Sequence, residues 1–113
     1  MELRTEVSKI GGWTVVSVYG ELDVATSPTL RERLISLVGK GSARLVLDLE
    51  GVDFLDSTGL GTIVSALKRA RTHDGDLRLV CTQSRIRRLF EITGLDKAVP
   101  LHASLDDAVA ARN

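Results

Sequence analysis

The chain lacks the features that build disulfide-linked, membrane-spanning or nucleic-acid-binding proteins. Its one cysteine, Cys81, excludes an internal disulfide and a metal site made only of cysteines. No apolar run approaches the roughly 20 residues that span a bilayer, and the N-terminal Met-Glu-Leu-Arg does not start a signal-peptide pattern. The formal net charge is zero, so no overall field attracts nucleic acid or an anionic membrane. These absences predict a cytoplasmic protein that binds neither nucleic acid nor a membrane.

Several signatures of enzymes are also missing. The sequence contains neither a Gly-x-x-x-x-Gly-Lys phosphate loop nor a dinucleotide-binding fingerprint. A hydrolase elbow requires Gly-x-Ser-x-Gly, but Leu55 occupies the position of the first glycine before Ser57. His73 and His102 are far in sequence from acidic or cysteine clusters, which argues against a metal site. The sequence therefore predicts no catalytic activity, no metal and no cofactor.

Two further functions find little support in the residues. Asp56 follows an apolar segment, as a phosphorylated aspartate does in a receiver domain. Such a domain needs an acidic pair after its first strand to hold Mg²⁺, and this chain has Gly11-Gly12 in that region. The arginines at positions 85, 87 and 88 form a basic cluster, but no aromatic residues are interleaved with it, as nucleic-acid binding would favour.

What the chain does contain is a regular alternation of strand and helix patterns. Its 113 residues, 43% of them hydrophobic, suit a single domain over residues 1–113. Residues 3–10 and 13–19 alternate or are rich in β-branched side chains, which predicts a hairpin that turns at Gly11-Gly12. The full order reads β-β-α-β-α-β-α-β-α. It predicts an α/β fold, with a mixed sheet of four to five strands and about four helices packed on it.

Small polar residues and glycines predict where the strands and helices end. The second strand is expected to stop at Gly20 and to be followed by a short acidic loop over residues 21–24. Serine is a preferred N-cap and glycine a preferred C-cap of a helix. The predicted caps are Ser27, Ser84 and Ser104 at N-termini and Gly94 at a C-terminus.

The segment that stands out is residues 56–61, with the sequence Asp-Ser-Thr-Gly-Leu-Gly. It follows an apolar strand pattern at residues 44–49 and opens a helix pattern that reaches about His73. Free backbone N–H groups at a helix N-terminus donate to side-chain oxygens, and the helix dipole stabilises negative charge there. One cap needs one residue, so three cap-competent residues followed by two glycines exceed what capping requires.

Two explanations of this segment remain open. Asp56, Ser57 and Thr58 are all preferred N-cap types, so capping alone explains any one of them. Glycine weakens a helix by up to about 1 kcal/mol relative to alanine. Gly59 and Gly61 are therefore expected to leave the backbone exposed, so that another molecule can approach it closely. The second explanation is a hydroxyl on Ser57 or Thr58 that accepts a phosphoryl group and thereby controls protein binding.

Residues 56–61 and their surroundings resemble the phosphorylation-site signature of bacterial anti-sigma factor antagonists, the single-domain STAS proteins. The resemblance includes Val-Asp-Phe-Leu at residues 52–55, Gly-Glu-Leu-Asp at residues 20–23 and Ser27-Pro28 at the first helix. Ile-Thr-Gly-Leu-Asp at residues 92–96 extends it over nearly the whole chain. It implies the STAS fold and a partner-switching role in sigma factor regulation.

In such a family the unphosphorylated antagonist binds an anti-sigma factor, often itself a serine kinase, and so releases the sigma factor for transcription. The kinase phosphorylates the antagonist, the complex dissociates, and a metal-dependent phosphatase of the PP2C type removes the phosphoryl group. ATP and Mg²⁺ belong to the kinase. Carried onto this chain, the resemblance implies Ser57 as the acceptor. The implied partner-binding residues are Asp23, Asp56, Thr58, Gly59, Leu60 and Gly61.

An alternative remains beside this interpretation. Many relatives have serine where this chain has Thr58, which makes Thr58 a second candidate acceptor. A STAS-like module could also sense a small ligand, or serve as a subunit of a larger complex, without phosphorylation. Intact Asp56-Ser57 favours the phosphorylated antagonist, since a module that needs only a binding surface has no use for an acceptor. The composition indicates no clear dimer patch.

Overall fold

The computed structural model describes residues 2–111. The strands are β1 (Leu3–Ile10), β2 (Trp13–Leu22), β3 (Arg44–Leu55), β4 (Asp76–Val80) and β5 (Leu101–His102). The helices are α1 (Ser27–Gly39), α2 (Ser57–Thr72), α3 (Ser84–Thr93) and α4 (Leu105–Ala110), with a short 3-10 helix at Leu95–Lys97. The strands form one sheet in the order β1-β2-β3-β4-β5. The predicted α/β fold, with its element order, is confirmed.

The sheet is mixed because only its first connection is a hairpin. β1 and β2 pair antiparallel through a turn at Gly11, whose φ is 55°. The remaining neighbours, β2 with β3, β3 with β4 and β4 with β5, all pair parallel. Parallel strands need crossover connections, and α1, α2 and α3 provide them.

The two faces of the sheet are covered unequally. Successive residues of a strand point to opposite faces, so Leu45 and Leu47 of β3 pack in the larger core while Val46 packs in the smaller one. The larger core contains buried side chains from α1, α2 and α3. The smaller core contains Trp13 and is covered by α4 through Ala108. Three helices therefore lie on one face and α4 on the other.

The predicted end of the second strand is wrong. β2 continues beyond Gly20, because Glu21 and Leu22 pair in parallel with Phe54 and Leu55 at the end of β3. Half of the predicted acidic loop is therefore strand. Because β2 and β3 run parallel, their ends lie at the same edge of the sheet, where α1 and α2 begin.

Two predicted N-caps are also wrong. Ser27 is the first residue of α1, since Thr26 occupies the cap position, and the Ser27 side chain is buried. Ser84 is the first residue of α3 and Gln83 precedes it at the cap position. In neither helix does the cap residue make a side-chain capping bond. In each helix the residue before the serine occupies the N-cap position, so the serine lies one residue inside the helix.

The other two predicted caps are confirmed. The Ser104 side chain accepts a hydrogen bond from the Asp107 N–H at 3.0 Å at the start of α4. Gly94 ends α3 in the left-handed conformation with φ of 76°, which glycine adopts without a Cβ penalty.

Candidate functional site

Asp56 takes the cap of α2. Its backbone is extended, with φ −109° and ψ −175°, and its Oδ1 accepts a hydrogen bond from the Gly59 N–H at 2.9 Å. Ser57 and Thr58 follow as the first two residues of the helix. Of the three cap-competent residues, Asp56 is therefore the one that caps the helix, and the hydroxyls of Ser57 and Thr58 take no part in the cap.

The same carboxylate ties α2 to the end of β2. Asp56 Oδ2 accepts from the Val24 N–H at 3.2 Å, and the Asp56 N–H donates to the Leu22 carbonyl oxygen at 3.2 Å. Asp56 thus holds the turn after β2 against the first turn of α2. This contact joins two segments that are 32 residues apart in sequence.

Asp23 organises the turn after β2. Its Oδ1 accepts from the backbone N–H groups of Ala25 and Thr26, both at 3.0 Å. The Thr26 hydroxyl donates to the Glu21 carbonyl oxygen at 2.6 Å and accepts from the Asp23 N–H at 3.0 Å. The backbone hydrogen bond from Thr26 is the main cause that lowers the pKa of Asp23 below its ordinary value. The turn that Asp56 holds against the start of α2 therefore carries a charged carboxylate.

Ser57 and Thr58 present their side chains to solvent. Both residues are exposed, whereas half of the residues that follow in α2 are buried. Within residues 2–111, neither hydroxyl has a hydrogen-bond partner. Each oxygen is free to react and stands where the helix dipole favours an added negative charge.

The two glycines of the segment have different surroundings. A Cβ on Gly59 would lie 2.5 Å from Leu55 Cδ1 and 2.7 Å from the Leu22 carbonyl oxygen. A Cβ on Gly61 would meet no atom within 4 Å. Gly59 therefore lets α2 pack closely on the ends of β2 and β3, and Gly61 leaves open surface. The sequence pattern did not distinguish them, because the close contact is with strands distant in sequence.

Leu60 faces inward. It is 8% exposed and belongs to the larger core. Asp56 is partly exposed, and Asp23 has the same intermediate burial. Of the six residues that the resemblance implies for partner binding, Gly59 and Leu60 set the position of the helix, and the other four reach the surface.

Two exposed apolar residues were not predicted, one in contact with the cap of the site and one close to it in sequence. Val24 is 70% exposed and Phe54 is 49% exposed. Val24 lies in the turn bonded to Asp56, and Phe54 precedes the cap by two residues. The available signal for the first was an apolar residue in a predicted loop, whereas Phe54 follows the apolar pattern of its strand. Exposed apolar side chains around a polar centre are typical of protein-binding surfaces.

The described part of the chain shows no convergent metal ligands and no membrane-crossing helix. Among residues 2–111, no group of three His, Cys, Asp or Glu side chains is placed to hold a metal ion. No helix in that range is long and apolar enough to cross a bilayer.

Comparison with known proteins gives a consistent match. A family model described as the STAS domain matches residues 4–108. The chain is 36% identical over 109 residues to an anti-sigma-B factor antagonist of Bacillus subtilis, covering 96% of this chain and 99% of that protein. It is 42% identical over 95 residues to an anti-sigma-B factor antagonist of Staphylococcus aureus, covering 84% and 88%.

Solved structures agree with the sequence relatives. An anti-sigma factor antagonist from Mycobacterium paratuberculosis superposes with a TM-score of 0.87 at 36% identity, covering 96% of this chain and 92% of that one. The Bacillus cell fate determinant SpoIIAA in its phosphorylated form has the same fold, with a TM-score of 0.73 at 19% identity over 94% and 96% of the two chains.

Proposed function

The chain belongs to the STAS-domain family, among the relatives of the anti-sigma factor antagonists, and we propose that it is an antagonist controlled by phosphorylation of Ser57. Unphosphorylated, it binds an anti-sigma factor and so releases a sigma factor for transcription. The observation that carries the proposal is the Ser57 hydroxyl, exposed and unbonded at the start of α2 while Asp56 caps the helix.

The surface around Ser57 suits a protein partner. Val24 offers an exposed apolar contact, and Asp56 and Asp23 hold the turn and the helix start in one arrangement. An interface built on this surface buries the bare hydroxyl. Apolar burial supplies the attraction, and the fixed backbone reduces the ordering cost of binding.

Phosphorylation reverses that fit. A kinase transfers the γ-phosphoryl group of ATP to Ser57 Oγ, the hydroxyl proton leaves to a base of the kinase, and ADP is released. The modified serine carries about −1.5 to −2 charges and three acceptor oxygens. These charges lie next to the Asp56 carboxylate and close to the turn that holds Asp23. A partner fitted to the hydroxyl then faces a bulky, solvated anion, and a loss of about 3 kcal/mol lowers affinity more than a hundredfold.

The fold itself is compatible with the modification. The helix dipole places partial positive charge at the start of α2, which stabilises an added phosphate there. The switch therefore acts on binding and leaves the domain folded. A serine kinase, which is the anti-sigma factor itself or acts with it, adds the group, and a PP2C-type phosphatase removes it. The antagonist has no catalytic role and works in the cytoplasm, where sigma factors act.

The test is transfer of labelled phosphate from ATP in a lysate of the protein's own host. Four purified proteins are compared: the wild type, Ser57→Ala, Thr58→Val and, as a control at another helix start, Ser84→Ala. We expect label on the wild type, Thr58→Val and Ser84→Ala, and none on Ser57→Ala. Full labelling of Ser57→Ala would contradict the assignment, as would failure to label any form while an added kinase substrate is labelled in the same lysate.

A further inference from the structure

A surface groove begins near Thr58 and runs between α1 and α2 toward the C-terminal ends of both helices. Its larger part has a volume of about 370 Å³, and a smaller part of about 290 Å³ adjoins Thr58 and Val24. Both parts include Arg31, Ile35 and Thr62, so they form one continuous groove. The groove therefore begins beside the candidate acceptor and continues along the two helices.

The walls follow one face of each helix. On α2 the wall consists of Thr58, Thr62, Ser65, Arg69 and Thr72, at spacings of four and three residues. Such spacing keeps side chains on one face of a helix. Fourteen residue steps at about 1.5 Å each give a groove of about 21 Å, which matches roughly four turns of a helix laid into it.

The floor of the groove is apolar. Leu34 and Val38 of α1 and Ala66 of α2 line it, and these side chains are 2%, 4% and 6% exposed. Ile35 reaches farther out, with 36% of its surface exposed. The apolar surface that an occupant with an apolar stripe can cover is therefore mainly that of Ile35.

The rim of the groove is positively charged. Arg31 lies on α1, and Lys68 and Arg69 lie on α2; all three are exposed. Within residues 2–111 the ion pairs are Arg4 with Glu6 and Arg71 with Asp76, so the three rim cations have no acidic partner in that range. Glu32 is the acidic residue of the groove and lies in the smaller part, near Thr58. The larger part thus combines an apolar floor with unpaired cations.

We propose that this groove docks an acidic, amphipathic helix of the protein partner. The inference deepens the proposed function, because a partner seated over Ser57 lies at the mouth of the groove. Its apolar stripe packs on Ile35 and the floor, and its carboxylates face Lys68 and Arg69. The length of the groove suits a helix of about four turns, and its charge complements an acidic one. Docking there adds affinity that does not depend on the Ser57 hydroxyl.

The first experiment uses a designed probe and needs no natural partner. A 16-residue helical peptide carries a leucine stripe flanked by glutamates, and a matched peptide has lysine at each glutamate position. We expect the acidic peptide to shift the amide resonances of α1 and α2 saturably in ¹⁵N-labelled protein, and the basic peptide to bind at least about tenfold more weakly. Dodecanoate, a fatty-acid anion, is titrated as the competing small ligand. Equal binding of both peptides, no shifts in the resonances of α1 and α2, or tighter binding of dodecanoate than of the acidic peptide in the same groove would overturn the proposal.

Charge reversal then tests the site in the chain. Lys68→Glu with Arg69→Glu should weaken binding of the acidic peptide, and of the anti-sigma factor, by about tenfold or more. The control, Arg33→Glu with Arg88→Glu, makes the same change in net charge at exposed positions outside the groove. Equal weakening by both pairs would mean that only the overall field matters and would overturn the docking site.

The outcomes separate this inference from the proposed function. Weaker binding of the anti-sigma factor by Lys68→Glu with Arg69→Glu, together with unchanged binding of that factor by Ser57→Asp, would support the groove and contradict the switch. Weaker binding by Ser57→Asp alone would support the switch and contradict the groove. Thermal unfolding of each variant confirms that a loss of binding does not come from a loss of fold.

Discussion

The starts of α2 and α3 differ, although each helix has an exposed serine as its first residue and follows a strand of the same parallel pair. At α2 the cap is the carboxylate of Asp56, which also holds the turn after β2. At α3 the preceding Gln83 makes no capping bond, and its side-chain amide donates to the carbonyl oxygens of Glu50 and Val52.

The comparison shows what a helix-terminal serine needs in order to act as a switch. Ser84 is followed by Arg85, which donates to the Asp53 carbonyl oxygen at 2.6 Å, so the side chains around it serve to hold β3. Ser57 instead lies beside the exposed Val24, an ordered turn and the mouth of the α1–α2 groove. Exposure at a helix start is common to both serines, and only Ser57 stands in a surface that a partner can cover.

The largest expected effect separates the two serines by partner binding. Ser57→Asp should weaken binding of the anti-sigma factor by about tenfold or more, whereas Ser57→Ala should bind as tightly as the unmodified protein. Ser84→Asp should change affinity by less than about twofold, since that charge lies outside the proposed interface. Calorimetric titration of each variant measures the difference, and equal weakening by both aspartates would remove the distinction between the two helix starts.

The next largest effect tests how closely α2 packs on the ends of β2 and β3. Gly59→Ala should lower the free energy of unfolding by about 1–3 kcal/mol, because the new methyl group overlaps Leu55 and the Leu22 carbonyl. Gly61→Ala is the matched control and should raise it by about 0.5–1 kcal/mol, since space is open there and alanine favours a helix. Urea unfolding checks both values. A stable Gly59→Ala protein would show that α2 does not need this close contact.

A smaller effect is expected from the cap. Asp56→Ala should cost about 1 kcal/mol of unfolding free energy through loss of the bond to Gly59, with some addition from the lost bond to Val24. Ser84→Ala should stay within about 0.5 kcal/mol of the wild type, because α3 has no side-chain cap to lose. Equal costs would mean that the two helix starts are held alike.

The smallest effect concerns pH. The pKa of Asp23 is lowered from its ordinary value of 3.8, chiefly by the Thr26 N–H. Because the pKa of Asp23 is lower in the folded chain than in the unfolded chain, its carboxylate stabilises the fold at pH values above the unfolded pKa. That contribution is lost as the pH falls through the folded pKa. A carboxyl-carbon NMR titration should therefore place the Asp23 midpoint below 3.8. A midpoint at or above that value would contradict the described turn.

The sequence predicted the parts of this fold that depend on neighbouring residues. The order of the elements, the Ser104 cap and the Gly94 cap follow from patterns within a few positions, and all are confirmed. The predictions of Ser27 and Ser84 as N-caps were wrong, because serine occurs both at the N-cap and in the first turn of a helix. Only the backbone angles of the preceding residue distinguish those two positions.

The rest depends on contacts between distant segments. β2 extends to Leu22 because β3 offers Leu55 as a pairing partner more than thirty residues later. Gly59 is enclosed by those same two residues, and Val24 is held by Asp56. The groove requires α1 and α2 to lie side by side, which no local pattern specifies. The residue pattern therefore pointed to Ser57 or Thr58 as the candidate acceptor, the family resemblance implied Ser57, and the structure supplied the surface around it.

The most direct test of the switch uses the phosphorylated protein itself. The chain is phosphorylated to completion by the kinase that labels Ser57, and it is titrated with the anti-sigma factor beside the unmodified protein, with urea unfolding of both forms. The switch predicts affinity lower by about tenfold or more and an unfolding free energy changed by less than about 1 kcal/mol. Equal affinities for the two forms, or a loss of binding that comes only from unfolding, would contradict it.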